Sequence, residues 1–142
     1  MALTTAQQAD LITAAVGLYG AAPGGYMAEL ASYVDQGCTA RGIALALTGS
    51  ASFKGQSFAY SDASTDDQFA TAFLNNILGS NVTADNMALA KTWALNKIAE
   101  AGRGEMVVSA VEYLASLDTA DADLGVAAAQ LQHRVVVATT YT

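Results

Sequence analysis

Glycine closes nearly every apolar period in this chain, and a residue suited to starting a helix follows soon after most of them. That rhythm constrains the fold more than any other feature. Gly ends helices because it enters the left-handed conformation without a steric penalty, while Thr, Ser and Asp supply side-chain oxygens to the free N–H groups of a first turn. Thr5-Ala6-Gln7-Gln8 reads as a capping box, with Leu11, Ala15, Leu18 and Tyr19 on one face as far as Gly20. Pro23-Gly24-Gly25 is a turn, after which Met27, Leu30 and Val34 recur at helical spacing before Gly37. Thr39 caps a short helix carrying Ile43, Leu45 and Leu47, ended by Gly49.

Ser50 to Ser64 shows no clear period and reads as the longest loop, holding Phe53, Phe58 and Tyr60. Thr65 and Gln68 then form a second box, with Asp66 and Asp67 in the first turn, where the helix dipole favours acids. Phe69, Phe73 and Ile77 line one face up to Gly79. Thr83 caps a longer helix with Met87, Ala90, Ala94 and Ile98 inward, closing at Gly102. From Gly104, Val107, Val108, Val111 and Leu114 mark the next helix, reaching about Leu117. Asp118 or Thr119 caps the last one, whose inner face is Leu124, Ala128, Leu131 and Val135. The β-branched tail from Val135 to Thr142 is open to three readings: a continued helix, a frayed end or a strand. No alternating run or Asn-Gly hairpin signal appears elsewhere.

The expectation is an all-α, compact bundle of about seven helices in a single domain, 1–142, built from two similar three-helix repeats. Leu18-Tyr19-Gly20 corresponds to Ile77-Leu78-Gly79, Tyr33 to Trp93, and Ala44–Leu47 to Val108–Val111. Repeat one covers about 5–53, the loop 50–64, repeat two about 65–117, and a C-terminal helix and tail 118–142. Two copies are fewer than an open solenoid needs, so they pack against each other around one core.

Composition narrows the partners. Thirteen acids against six bases give a net charge of −7. A nucleic-acid binder needs the opposite sign to displace phosphate counterions, so nucleic acid is excluded, as is an anionic membrane surface as the main partner. No apolar stretch is long enough for a membrane span. One cysteine, Cys38, forbids an internal disulfide, and one histidine, His133, leaves no zinc set and no nucleophile–base–orienter arrangement to read. No catalytic residue and no cofactor is expected; the chain reads as a non-enzyme. Asp118, Asp121 and Asp123 before Gly125 resemble a calcium loop in spacing, but position twelve from Asp118 is Ala129, where a bidentate acid belongs. The ordinary role of these acids is to stock a helix N-terminus. Their functional reading, shared with Asp62, Asp66 and Asp67, is weak Ca²⁺ bridged between subunits. Trp93, Tyr19, Tyr33, Phe69 and Phe73 fall on apolar helical faces and are read as core, whereas Tyr26, Tyr60, Tyr113 and Tyr141 are read as less buried.

The second repeat resembles the bacterial DUF4214 family, a helical domain found in calcium-repeat exoproteins, surface-layer proteins and adhesins. The matching positions are Phe69, Phe73, Leu74, Leu78-Gly79, Trp93, Gly102-Arg103 and the apolar helix through Val111. Leu18-Tyr19-Gly20, Pro23, Gly37, Arg41 and Ser50-Ala51-Ser52-Phe53 are similar in the first repeat, and Met1–Gln7 is similar to the opening of surface-layer proteins exported by type I machinery. The chain departs from the pattern at Gly79-Ser80, where the family carries Gly-Arg. The resemblance implies a secreted helical module for anchoring or assembly, and no catalytic residues.

The surface agrees with an assembling subunit. Mean hydropathy is +0.30 and only 13% of residues are charged, so outward faces carry Ala, Thr, Ser, Asn and Gln. Small side chains let helices approach closely and lose little entropy on contact. The expected function is an extracellular, self-assembling subunit of a bacterial surface layer, matrix or filament, exported without a cleaved N-terminal signal, since the first base is Arg41. Its assembly contacts are placed at the ends and the loop: Met1, Thr5, Tyr60, Val135, Val137 and Tyr141. The alternative is a monomeric module recognising a cell-surface glycan or lipopolysaccharide through Tyr60-Ser61-Asp62 and Asn75-Asn76.

Overall fold

The computed structural model describes residues 3–21 and 23–140, so Met1 and Tyr141 lie outside the described residues. The protein is all-α. Among the described residues there are eight helices and no strand: α1 (Thr5–Tyr19), α2 (Met27–Asp35), α3 (Ala40–Thr48), α4 (Ala51–Lys54), α5 (Asp66–Ile77), α6 (Ala84–Ala101), α7 (Arg103–Ser116) and α8 (Gly125–Thr140). Thr39, Thr65 and Thr83 cap α3, α5 and α6 by accepting from the N–H three residues on, and Gln68 completes the box at Thr65. The first box forms one residue earlier than expected: Thr4 Oγ1 accepts from Gln7 N at 3.1 Å, and Gln7 Oε1 accepts from Thr4 N at 2.9 Å. Both Thr-x-x-Gln frames satisfy the local rule. The earlier one sets Leu3 against the small apolar cluster of Leu11, Leu30 and Ile43 that holds α2 to α1 and α3.

Segment 50–64 is not a plain loop. Ser50 Oγ accepts from Phe53 N at 3.3 Å and starts the one-turn α4, and a 3-10 turn follows at Phe58–Tyr60. A single turn is too short for periodicity to reveal. Its product is the centre of the core: Phe53 is 0% exposed and stacks on Tyr60 with ring centroids 4.8 Å apart, while Tyr19 and Phe69 close the knot. α7 runs through the middle, burying Met106, Val107, Val108, Ala110, Val111 and Leu114 against α1, α3, α6 and α8. Gly17 of α1 crosses it so closely that a Cβ there would lie 2.5 Å from Val111 Cγ2.

Two arginines clamp this packing from outside. Arg41 bonds Glu105 at 2.6 Å and Glu112 at 3.1 Å, tying α3 to α7. Arg103 reaches Asp66 at 2.9 Å, the carbonyls of Ser61 and Ser64, and the face of Phe69, tying the segment before α5 to α7. Gly102 alone separates α6 from α7, with φ +96° and ψ 167°, a region essentially closed to other residues. Gly37, in the turn before α3, also has φ +96°.

The last helix begins at Gly125 rather than near Asp118. Asp118 Oδ1 accepts from Ala120 N at 2.9 Å and holds a turn. Asp121 Oδ1 accepts from Asp123 N at 3.0 Å and Leu124 N at 2.9 Å, and its carbonyl from Gly125 N at 3.1 Å, the contacts of a cap on the turn that leads into α8. The tail continues the helix as far as Thr140.

Candidate functional site

Asn86, Leu89, Ala90 and Trp93 recur at three- and four-residue spacing, so they share one face of α6. That face turns partly outward. Ala94 and Ile98 are the residues that α6 buries, and Trp93, about 100° round the helix from Ala94, is left 42% exposed rather than enclosed. Leu89 is 68% and Tyr113 of α7 53% exposed. Together with Leu74, Ile77 and Leu78 at the end of α5 and Leu124 before α8, they line an apolar groove of about 510 Å³. Its volume lies within the range of ligand and anchor pockets. One end is polar: Asn86 Nδ2 donates to Asp123 Oδ1 at 3.4 Å, and Asp123 has no ion-pair partner among the described residues.

Of the residues expected to bind or assemble, Asp123 lines this groove and the others lie elsewhere. Tyr60 is 4% exposed, enclosed in the aromatic knot, and its hydroxyl accepts from Asn76 Nδ2 at 2.7 Å; it offers a second molecule no surface. Burial raises the Tyr60 pKa above the ordinary phenol value, partly offset by the Asn76 bond. Asp62 pairs with Lys54, Asp66 with Arg103 and Asp67 with Lys91, so each acid of that cluster meets a cation. Asp118, Asp121 and Asp123 lie in the turns before α8, and no set of three His, Cys, Asp or Glu among the described residues converges as a metal cage. Thr5 is exposed in the first turn of α1. Val135 is half-buried against the core, and Val137, 42% exposed, faces outward. Cys38 is exposed in the turn between α2 and α3, and His133 is exposed on α8. Tyr33, like Trp93, is less enclosed than its spacing suggests, at 40% exposure.

The α8 surface adds a second apolar feature. Val126 and Val136 are 64% and 65% exposed, on the side away from the buried Ala127, Ala128, Leu131 and Ala138. Arg134, between them, stands at the rim of a smaller recess of about 300 Å³ beside Asn76 and Gln56, with no carboxylate partner among the described residues. None of the described helices is long and apolar enough to cross a membrane. No protein-family model, curated protein or solved structure matches the chain.

Proposed function

We propose that the protein is a non-enzymatic, self-assembling structural subunit of a bacterial surface layer, matrix or filament, working outside the cell. The observation that carries this reading is the groove: Trp93, Leu89 and Tyr113 stand open beside it on a chain with only 13% charged residues. Open aromatic and aliphatic side chains grouped along one groove are the kind of surface on which a contact site is built. The outward valines of α8 support the same reading, as does the resemblance to helical surface-layer modules. Ca²⁺ bridging belongs to the proposal only as a contact completed by a second copy, because the turns before α8 do not assemble a full ligand set by themselves.

A monomeric glycan or lipopolysaccharide module is the second reading, favoured by one arrangement. Half-exposed Trp93 and Tyr113 stand beside Asn86 and Asp123, the aromatic-plus-polar pairing that suits a sugar ring. Size-exclusion chromatography with light scattering, with and without millimolar Ca²⁺ and followed by negative-stain microscopy, separates the two. Ordered filaments or sheets support assembly. A sharp 14.5 kDa species under all conditions refutes it, and a glycan titration that quenches the single tryptophan, Trp93, then supports the module.

A further inference from the structure

We propose that the groove between α6 and α7 receives the C-terminal half of α8 from a second copy of the chain. The inference rests on the self-assembly reading and names its contact. α8 is apolar on two sides. Its inner face, Ala127, Ala128, Leu131 and Ala138, is buried by α1 and α7, and its outer face carries the exposed Val126, Val136 and Val137 with Ala129, alongside Gln130, His133 and Thr140. Valine loses rotamer freedom in a helix, so exposed helical valines are not explained by local stability. Three valines left open on one side of a helix offer a surface for a partner to cover.

Charge complementarity, added to apolar lining, favours the groove as that partner. Among the described residues Arg41, Lys54, Lys91 and Arg103 form ion pairs with carboxylates, whereas Lys97 of α6 and Arg134 of α8 do not; Arg134 is the one carried by the helix with the open valines. The groove ends in Asp123, a carboxylate without a cation. Asp85, one turn before Leu89, adds a second exposed acid at that end of α6. With Arg134 set over Asp123 and the helix running toward Leu89 and Trp93, Val137 lies three residues and about 4.5 Å further into the apolar trough. A helix laid into an apolar groove with an ion pair fixing its register is a common mode of recognition.

The contact is between copies. Leu124, just before α8, already borders the groove of its own chain, while Leu131 and Arg134 further along the helix stand beside the end of α1. Because the two surfaces differ, the contact is head-to-tail, and repetition generates a ring or an open filament.

The test uses the full chain in a Cys38→Ser background, which contains no other cysteine. Leu89→Cys and Val137→Cys variants, one of them isotope-labelled, are mixed and gently oxidised. The mixed disulfide is expected to form about a hundredfold faster than either like-with-like product, since docking raises the local thiol concentration from micromolar toward millimolar. Arg134→Glu alone and Asp123→Arg alone should each abolish the large species, and the double variant should restore it, with circular dichroism confirming folding in all three. Occupancy of the groove should also shift the Trp93 emission to shorter wavelength as assembly proceeds. Assembly that is indifferent to the charge exchange, or a like-with-like Leu89→Cys product from a closed dimer, overturns this docking while leaving self-assembly intact. A chain that stays at 14.5 kDa at every concentration overturns both.

Discussion

Phe53→Ala tests the claim that the segment between α3 and α5 supplies the centre of the core. The ring is 0% exposed, sits between Tyr19, Tyr60 and Phe69, and stacks on Tyr60 at an interplanar angle of 5°. Removing it leaves a cavity that the surrounding helices only partly fill, costing about 3–5 kcal/mol. The lost ring contacts fall within that figure or add up to ~1.5 kcal/mol beyond it. Against a total stability of ~5–15 kcal/mol, this is a large fraction, and at roughly 3 °C per kcal/mol it lowers the melting temperature by roughly 12 °C. The assay is urea unfolding followed by far-ultraviolet circular dichroism, at a dilution where light scattering shows the monomer. Phe58→Ala is the matched control: it lies in the same segment but is 63% exposed, and should change stability by less than about 0.5 kcal/mol. If the two variants lose equal stability, the segment does not fill the core and the packing argument is wrong.

Gly102→Ala should lose about 1–3 kcal/mol, because φ +96° with ψ 167° is strained for any side chain, whereas Gly49→Ala, at φ −91°, should be neutral or slightly stabilising in the same urea assay. Burial raises the pKa of Tyr60 above its usual 10.0, so above pH 10 the unfolded chain releases a proton that the folded chain retains. Stability should therefore fall as pH rises from there through the raised pKa, and Tyr60→Phe should flatten that decline. Glu105 behaves oppositely: its hydrogen bonds to Arg41 hold its pKa below the usual 4.5. Its contribution is present above pH 4.5 and is lost as pH falls through the lowered value, so Glu105→Gln should reduce the acid-side slope of a pH titration of unfolding midpoints.

The helix starts at Thr39, Thr65 and Thr83 were legible because capping is local: one hydroxyl, one amide three residues on, and a glycine behind. Where two local solutions compete, the tertiary contact decides, as Leu3 does between the Thr4 and Thr5 frames. Phe53 was hidden for a different reason: α4 is one turn long, and one turn has no period. Trp93 shows the limit of helical faces as a guide. Its spacing assigns it to an apolar stripe, but α6 is covered on one side only, and nothing in its own sequence says which part of that stripe stays open. The groove was legible only in part. Asn86, Leu89, Ala90 and Trp93 could have been grouped from spacing, but its other wall comes from α7, the end of α5 and the turn at Asp123. The acids before α8 looked like ligands because spacing alone does not show that Asp118 and Asp121 accept bonds from their own backbone.

The packing of α8 across α1 and α7 joins the two ends of the described chain. During synthesis the N-terminal helices emerge first, and the faces of α1 and α7 that α8 covers stay open until residues 125–140 are available. Closing so large a loop adds little to the entropic cost beyond that of a shorter one, since the penalty grows only with the logarithm of length. Among the described helices α8 closes the longest loop of the core through its contacts with α1. Until α8 docks, the faces of α1 and α7 that it covers hold apolar side chains against water.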